Sequence, residues 1–153
     1  TGSNPLVLPI PGINDTGVIH AGDLLDGKAS VGKKVLVVGG GMVGCEVADF
    51  LGELGHEVSV IELRDQLGPD VIPEHRKAYK VQGVTGAKVA QFFTDGVSYT
   101  LADGTEGRLE GFDNVVLAMG YRNNDTISEE IKKIVAETYV IGDAVKARKA
   151  LDY

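Results

Sequence analysis

The stretch VLVVGGGMVGCEVADFLGELGHEVSVIE, residues 35–62, decides the fold. Lys34–Val38 (KVLVV) is a short, continuously apolar run, as a strand buried on both faces requires. Over 42–54 the apolar residues Val43, Val47, Leu51 and Leu54 recur at helical spacing, and Gly55 stands where a C-terminal cap belongs. A second apolar run, 58–62 (VSVIE), predicts the next strand and ends on a carboxylate. Strand, helix and strand together occupy about the ~30 residues that a βαβ unit needs.

Between the first strand and the helix, Gly39, Gly41 and Gly44 fit G-x-G-x-x-G. The first glycine permits a tight turn, the second lets a pyrophosphate approach the backbone, and the third lets helix and strand pack closely. The loop Gly39, Gly40, Gly41, Met42, Val43 and Gly44 is therefore the candidate phosphate cradle, its amides acting with the positive end of the helix dipole. Glu62 lies eighteen residues beyond Gly44, close to the ~20 expected of a ribose-binding acid. Its carboxylate can accept both hydroxyls of an adenine ribose and repels a 2′-phosphate, which favours NAD(H) over NADP(H). Arg64, two residues on, keeps that preference open. A methyltransferase also places an acid after the second strand of a glycine-loop unit, although a hairpin insert over 89–120 counts against it.

Outward from this unit, residues 3–15 (SNPLVLPIPGIND) carry Pro5, Pro9 and Pro11 and predict an extended connector. A short helix is expected between Ala21 and Leu25. After Pro73, PEHRKAYK has room for two helical turns but not for a full crossover helix before Val89. From Val89 the pattern turns to strands (VAQFFTD, GVSYTLA, TEGRLEG, NVVLAMG), with Asp95-Gly96 and Asp103-Gly104 as two-residue hairpin signals. A helix is expected over 128–135 before the apolar run TYVIGDA. The fold class is α/β: a Rossmann-like parallel sheet with helices on one face and a three-stranded antiparallel meander on the other.

The 153 residues are 43% hydrophobic and 24% charged, the balance of a globular chain. A net charge of -7 argues against nucleic acid and anionic membrane surfaces as partners. The single cysteine, Cys45, excludes an internal disulfide and any multi-cysteine metal or iron–sulfur site built from this chain. No apolar run approaches the ~20 residues of a membrane helix, and with no signal peptide visible the expected compartment is the cytoplasm. His20, His56 and His75 show no ligand spacing. Glu129-Glu130 followed by Lys132-Lys133 predicts an exposed helix face. Because Thr1-Gly2-Ser3 lacks a Met, the chain is expected to be cut from something longer.

With these residues placed, the chain resembles the pyridine-nucleotide-disulfide oxidoreductase superfamily, and within it the C-terminal region of iron–sulfur flavoenzymes related to 2,4-dienoyl-CoA reductase, enoate reductases and trimethylamine dehydrogenase. The resemblance rests on TGSNPLVLPIPG, GGGMVGCEVA, VVLAMGYRNN and TYVIGDAVKARKALD, which run from end to end of the chain. It implies an NAD(H)-binding domain over 16–125, flanked by a connector and flavin-domain stub (1–15) and a return segment and second stub (126–153). Thr1-Gly2 then resembles the tail of an Ala-Thr-Gly crossing between domains. Ala118-Met119-Gly120 resembles the equivalent segment on the return, and Gly142-Asp143 the motif whose Asp contacts the flavin nucleotide. Glu46 would sit beside the nicotinamide end, the alternative being a solvent-facing helix residue. The implied partners are the flavin domain and catalytic barrel of the parent, carrying FAD, FMN and an iron–sulfur cluster. The resemblance implies a parent that passes hydride from NADH to a flavin, with no catalytic residue on this piece. A non-catalytic nucleotide-binding or redox-sensing module is the other reading.

Overall fold

The structure, a computed structural model, describes residues 1–14, 17–68 and 82–147. They form two compact units, one of residues 8–119 and one of 1–7 with 120–153, so the first is inserted in sequence between the halves of the second. Among the described residues no helix is long and apolar enough to cross a membrane.

The inserted unit is built on a five-stranded parallel sheet. Its strands are β2 (Val18–His20), β3 (Lys34–Val38), β4 (Glu57–Ile61), β5 (Gln82–Val84) and β9 (Asn114–Leu117), in the order β2-β9-β3-β4-β5. Alternate residues of β3 point to opposite faces, and both faces are apolar. Val35 and Val37 pack on Leu24 of helix α1 (Ala21–Leu25) and on Val47 and Leu51 of helix α2 (Met42–Glu53). Leu36 and Val38 belong to the other layer, with Ile61, Val115, Phe92 and Val97. Phe92 and Val97 come from an antiparallel meander of β6 (Ala87–Phe93), β7 (Gly96–Leu101) and β8 (Glu106–Leu109). The expected α/β arrangement, helices on one face and meander on the other, is the one observed. Phe92 is among the largest fully buried side chains, and its truncation to Ala would cost about 3–5 kcal/mol.

Several local expectations need correction. The proline-rich segment is more than a connector: Ile13 is buried in the meander-side core, Ile10 packs against that core, and Pro11 accepts a hydrogen bond from the Phe92 amide at 2.8 Å. The hairpin glycines work differently from each other. Phe93 pairs with Gly96 around Thr94 and Asp95, and Gly96 lacks a positive φ. It is glycine because a β-carbon there would lie 2.8 Å from the Leu109 carbonyl carbon. Gly104 does have φ +86°, but it closes a three-residue loop, since the Leu101 amide bonds Thr105 O at 2.8 Å and the Gly104 amide bonds Leu101 O at 3.0 Å. That is a turn followed by a left-handed bulge residue, the geometry of three-residue hairpins. Strand β4 ends at Ile61, so Glu62 stands one residue past it. His75 and the helical turns foreseen after Pro73 lie outside the described residues.

The second unit pairs β1 (Gly2–Pro5) antiparallel with β10 (Tyr121–Asn124), and the Leu6 amide donates to Gly120 O at 2.8 Å. Helix α3 spans Ser128–Lys132 and stops short of the predicted 135. Ile131, Ile134 and Val135 are exposed, so no buried apolar face extends it, and short helices depend on such packing. A 3-10 turn, Gly142–Ala144, follows.

Candidate functional site

Strand register brings the site together. Val38 pairs with Ile61 on one side and with Leu117 on the other. The residues that follow, Gly39, Glu62 and Ala118, therefore start three loops along one carboxyl edge. The strand order reverses at β3, and such reversals are where open α/β sheets take ligands.

The motif glycines have three different physical reasons. Gly39 has φ +105°, and a β-carbon on it would lie 2.7 Å from the carbonyl carbon of Ala118. A β-carbon on Gly44 would lie 2.9 Å from the carbonyl carbon of Gly39 and closer to its oxygen. Gly41 has φ -72°, and its β-carbon would meet nothing within 4 Å. The first glycine serves the turn, the third the close packing, and the second faces free volume. The first intrahelical bond of α2 runs from the Cys45 amide to Gly41 O, 3.0 Å, so the amides of Met42, Val43 and Gly44 precede it. The first turn carries no acidic residue and no side-chain cap. A helix start of this kind is suited to an anion, because its amides and dipole both favour negative charge.

Glu62 is 9% exposed. Its Oε2 accepts the Gly40 amide at 2.5 Å and its Oε1 the Arg64 amide at 2.8 Å. The acid is thus tied to the glycine loop as well as standing at the strand end. A carboxylate offers about four acceptor positions, so roughly one on each oxygen is left for ribose hydroxyls. The cradle and the acid both fit a dinucleotide.

Sequence reasoning missed the residues that close over Gly40. Its carbonyl accepts the Gly68 amide at 2.7 Å and the Cys45 thiol at 3.4 Å. Leu67 packs on the bare backbone of both Gly40 and Gly83, so a β-carbon on either would have to displace its δ-methyls. The available signal was the Gly68-Pro69 pair, a turn marker.

The remaining candidates divide between the two units. Ala118 and Met119 are half-buried just beyond β9, while Glu46 and the Arg64 side chain are exposed. Gly120, Gly142 and Asp143 belong to the other unit, where Asp143 accepts the Ser3 hydroxyl at 3.1 Å. Cys45 is 2% exposed, and burial pushes its thiol up in pKa, opposed by the Gly68 amide. That environment suits packing rather than redox work.

The chain is similar to known proteins over nearly its whole length. A cinnamate reductase of Clostridium sporogenes is 29% identical over 99% of this chain and 24% of its own length. An NADH oxidase of Thermoanaerobacter brockii is 34% identical over 99% of this chain and 25% of its own. The solved complex of a 2-naphthoyl-CoA reductase superposes with a TM-score of 0.85 at 31% identity, covering 97% of this chain and 24% of that one. The chain spans about a quarter of the length of these relatives. Residues 1–145 match the family described as pyridine nucleotide-disulphide oxidoreductase, which displaces the methyltransferase alternative. Since that match takes in nearly the whole length, the chain belongs to the pyridine nucleotide-disulphide oxidoreductase family.

Proposed function

We propose that the inserted unit binds NAD(H) within a longer NADH-dependent flavin oxidoreductase, of the kind related to 2,4-dienoyl-CoA reductase, enoate reductase and trimethylamine dehydrogenase. The observation that carries this is the free volume before Gly41, beside the helix-start amides and one residue from the Gly40 amide held by Glu62. On this reading the amides of Met42, Val43 and Gly44 hold the pyrophosphate, and the spare acceptor positions of Glu62 take the adenine-ribose hydroxyls. Its charge disfavours a 2′-phosphate, so NADH is preferred. Ala118 and Met119 border the same edge, and Glu46 reaches the nicotinamide end. When bound, the nicotinamide supplies hydride to a flavin.

That flavin belongs to the rest of the parent, together with FMN, an iron–sulfur cluster and a catalytic barrel. The quarter-length coverage of the relatives supports this division. Gly120, Gly142 and Asp143 then belong to the flavin-side unit, which the parent completes, and the parent works in the cytoplasm. This chain alone turns nothing over. Calorimetric titration of the 153-residue chain tests the proposal: NADH should bind one per chain, NADPH more weakly, and S-adenosylmethionine should give no heat. A folded chain that ignores NADH ends this reading.

A further inference from the structure

Resting on the NAD(H) reading, we infer that Glu62 is a positioning residue for the phosphate loop, in addition to being an acceptor for the ribose. Gly40 is the residue on which the loop geometry turns. Its amide is held by Glu62 Oε2 at 2.5 Å and its carbonyl by the Gly68 amide at 2.7 Å and the Cys45 thiol. Leu67 closes over its Cα. The next residue, Gly41, caps α2 and sets where the helix-start amides point. Of these contacts, Glu62 alone ties the loop by side chain to the end of β4, because its other oxygen holds the Arg64 amide at 2.8 Å. One carboxylate therefore spans the loop that takes phosphate and the strand end that takes ribose.

The arrangement needs an acceptor on both oxygens. A glutamine has one acceptor oxygen and an NH2 group that only donates. In Glu62→Gln one of the two backbone amides must face a donor, and the loop loses its tie or the strand end does. If the loop then holds its competent geometry about a tenth of the time, affinity falls about tenfold, because apparent affinity scales with the competent fraction. This loss is separate from any lost ribose contact. Glu62→Asp keeps the charge but draws the carboxylate back by one methylene, so it loses the span too.

The experiment uses the 153-residue chain and two measurements. In the first, NADH and its analogue lacking both hydroxyls of the adenosine ribose are titrated into the wild type, Glu62→Gln and Glu62→Asp. Both variants should bind the dideoxy analogue about tenfold more weakly than wild type does, a difference of ~1.4 kcal/mol. A variant that binds the analogue as well as wild type does would confine Glu62 to the ribose and overturn the inference. Phe92→Leu, in the meander-side core, supplies a chain of lowered stability whose binding should not change. An equal loss in Phe92→Leu would also overturn it.

In the second measurement, exchange of the two amides that Glu62 holds, those of Gly40 and Arg64, is followed by NMR without ligand. Exchange should speed in Glu62→Gln at one or both of these amides and not at Val97 or Val115. Unchanged exchange overturns the inference. Faster exchange in a chain whose wild type ignores NADH would sustain the positioning role while removing the NAD(H) reading.

Discussion

The backbone of Gly44 rests on that of Gly39, the first turn of α2 against the turn that ends β3, with no space for a side chain between them. Gly41, three residues earlier, faces open space with an ordinary φ of -72°. Substitutions at the two should therefore fail in opposite ways. Gly44→Ala forces loop and helix apart and should lose about 1–3 kcal/mol of stability, the usual result of overpacking. Gly41→Val should change stability by less than about 1 kcal/mol, the scale of an altered helix cap, yet weaken NADH binding tenfold or more. Thermal melts paired with calorimetry separate the two, and a Gly41→Val chain that binds NADH normally would remove the phosphate loop from the proposal.

Glu62→Gln should lower affinity for both nicotinamide dinucleotides but lower that for NADPH less. The carboxylate that repels a 2′-phosphate is gone, and a unit-charge repulsion across several Å at a partly buried site is worth tenfold or more. The ratio of the two dissociation constants is the quantity to follow. A wild-type preference for NADPH would assign the choice to Arg64 instead.

Helix α3 carries a pH dependence of defined sign. Asp125 accepts the Ser128 hydroxyl at 2.5 Å and the Ser128 amide at 3.1 Å, and these bonds, the hydroxyl first, hold its carboxyl below the usual carboxylate range. A depressed folded pKa adds stability above the unfolded value, about 3.9, and that stability is lost as pH falls through the folded value. The start of α3 should therefore fray below about pH 4, seen as a collapse of the Ser128 amide shift. In Asp125→Asn that acid transition should vanish.

Cys45 should resist thiol reagents. Burial disfavours its thiolate, and only the thiolate reacts. At pH 8 a disulfide reagent should label the native chain orders of magnitude more slowly than the urea-unfolded chain. Comparable rates would mean that the loop around Gly40 opens freely.

The chain should purify colourless and retain no FAD after dialysis. Asp143 already accepts the Ser3 hydroxyl at 3.1 Å. One charged hydrogen bond to a flavin nucleotide contributes about 1.5–3 kcal/mol, against the roughly 8 kcal/mol of micromolar binding. A visible flavin band at one per chain would overturn the division of cofactors proposed above.

The sequence disclosed the βαβ core because each signal there was local. KVLVV, the Val43–Val47–Leu51 spacing and the three glycines needed no knowledge of distant residues. The positive φ of Gly39, the close approach at Gly44 and the open space at Gly41 fall at the spacing of the motif for the same reason. What stayed hidden depended on tertiary neighbours. Strand β10 reads YRNN, with no apolar alternation, and exists by pairing with β1. Ile13 looked like loop because the prolines before it dominate the local pattern, whereas its burial comes from the meander-side core. Glu62 was identifiable as an acid at the right distance from the loop. Its bond to the Gly40 amide, twenty-two residues away, follows from parallel register alone.

Strands β1 and β10 run antiparallel, with Pro5 opposite Tyr121 and the Leu6 amide on Gly120 O. The chain therefore leaves for residues 8–119 and comes back at one place, the tip of a two-stranded ribbon. Joining Val7 to Gly120 through a linker of two or three residues would restore an ordinary hairpin, the loop length that hairpins favour. The nucleotide module is in that sense a cartridge. Both of its junctions fall at one turn, and the β1–β10 register, from Gly2 opposite Asn124 to Pro5 opposite Tyr121, lies wholly to one side of them.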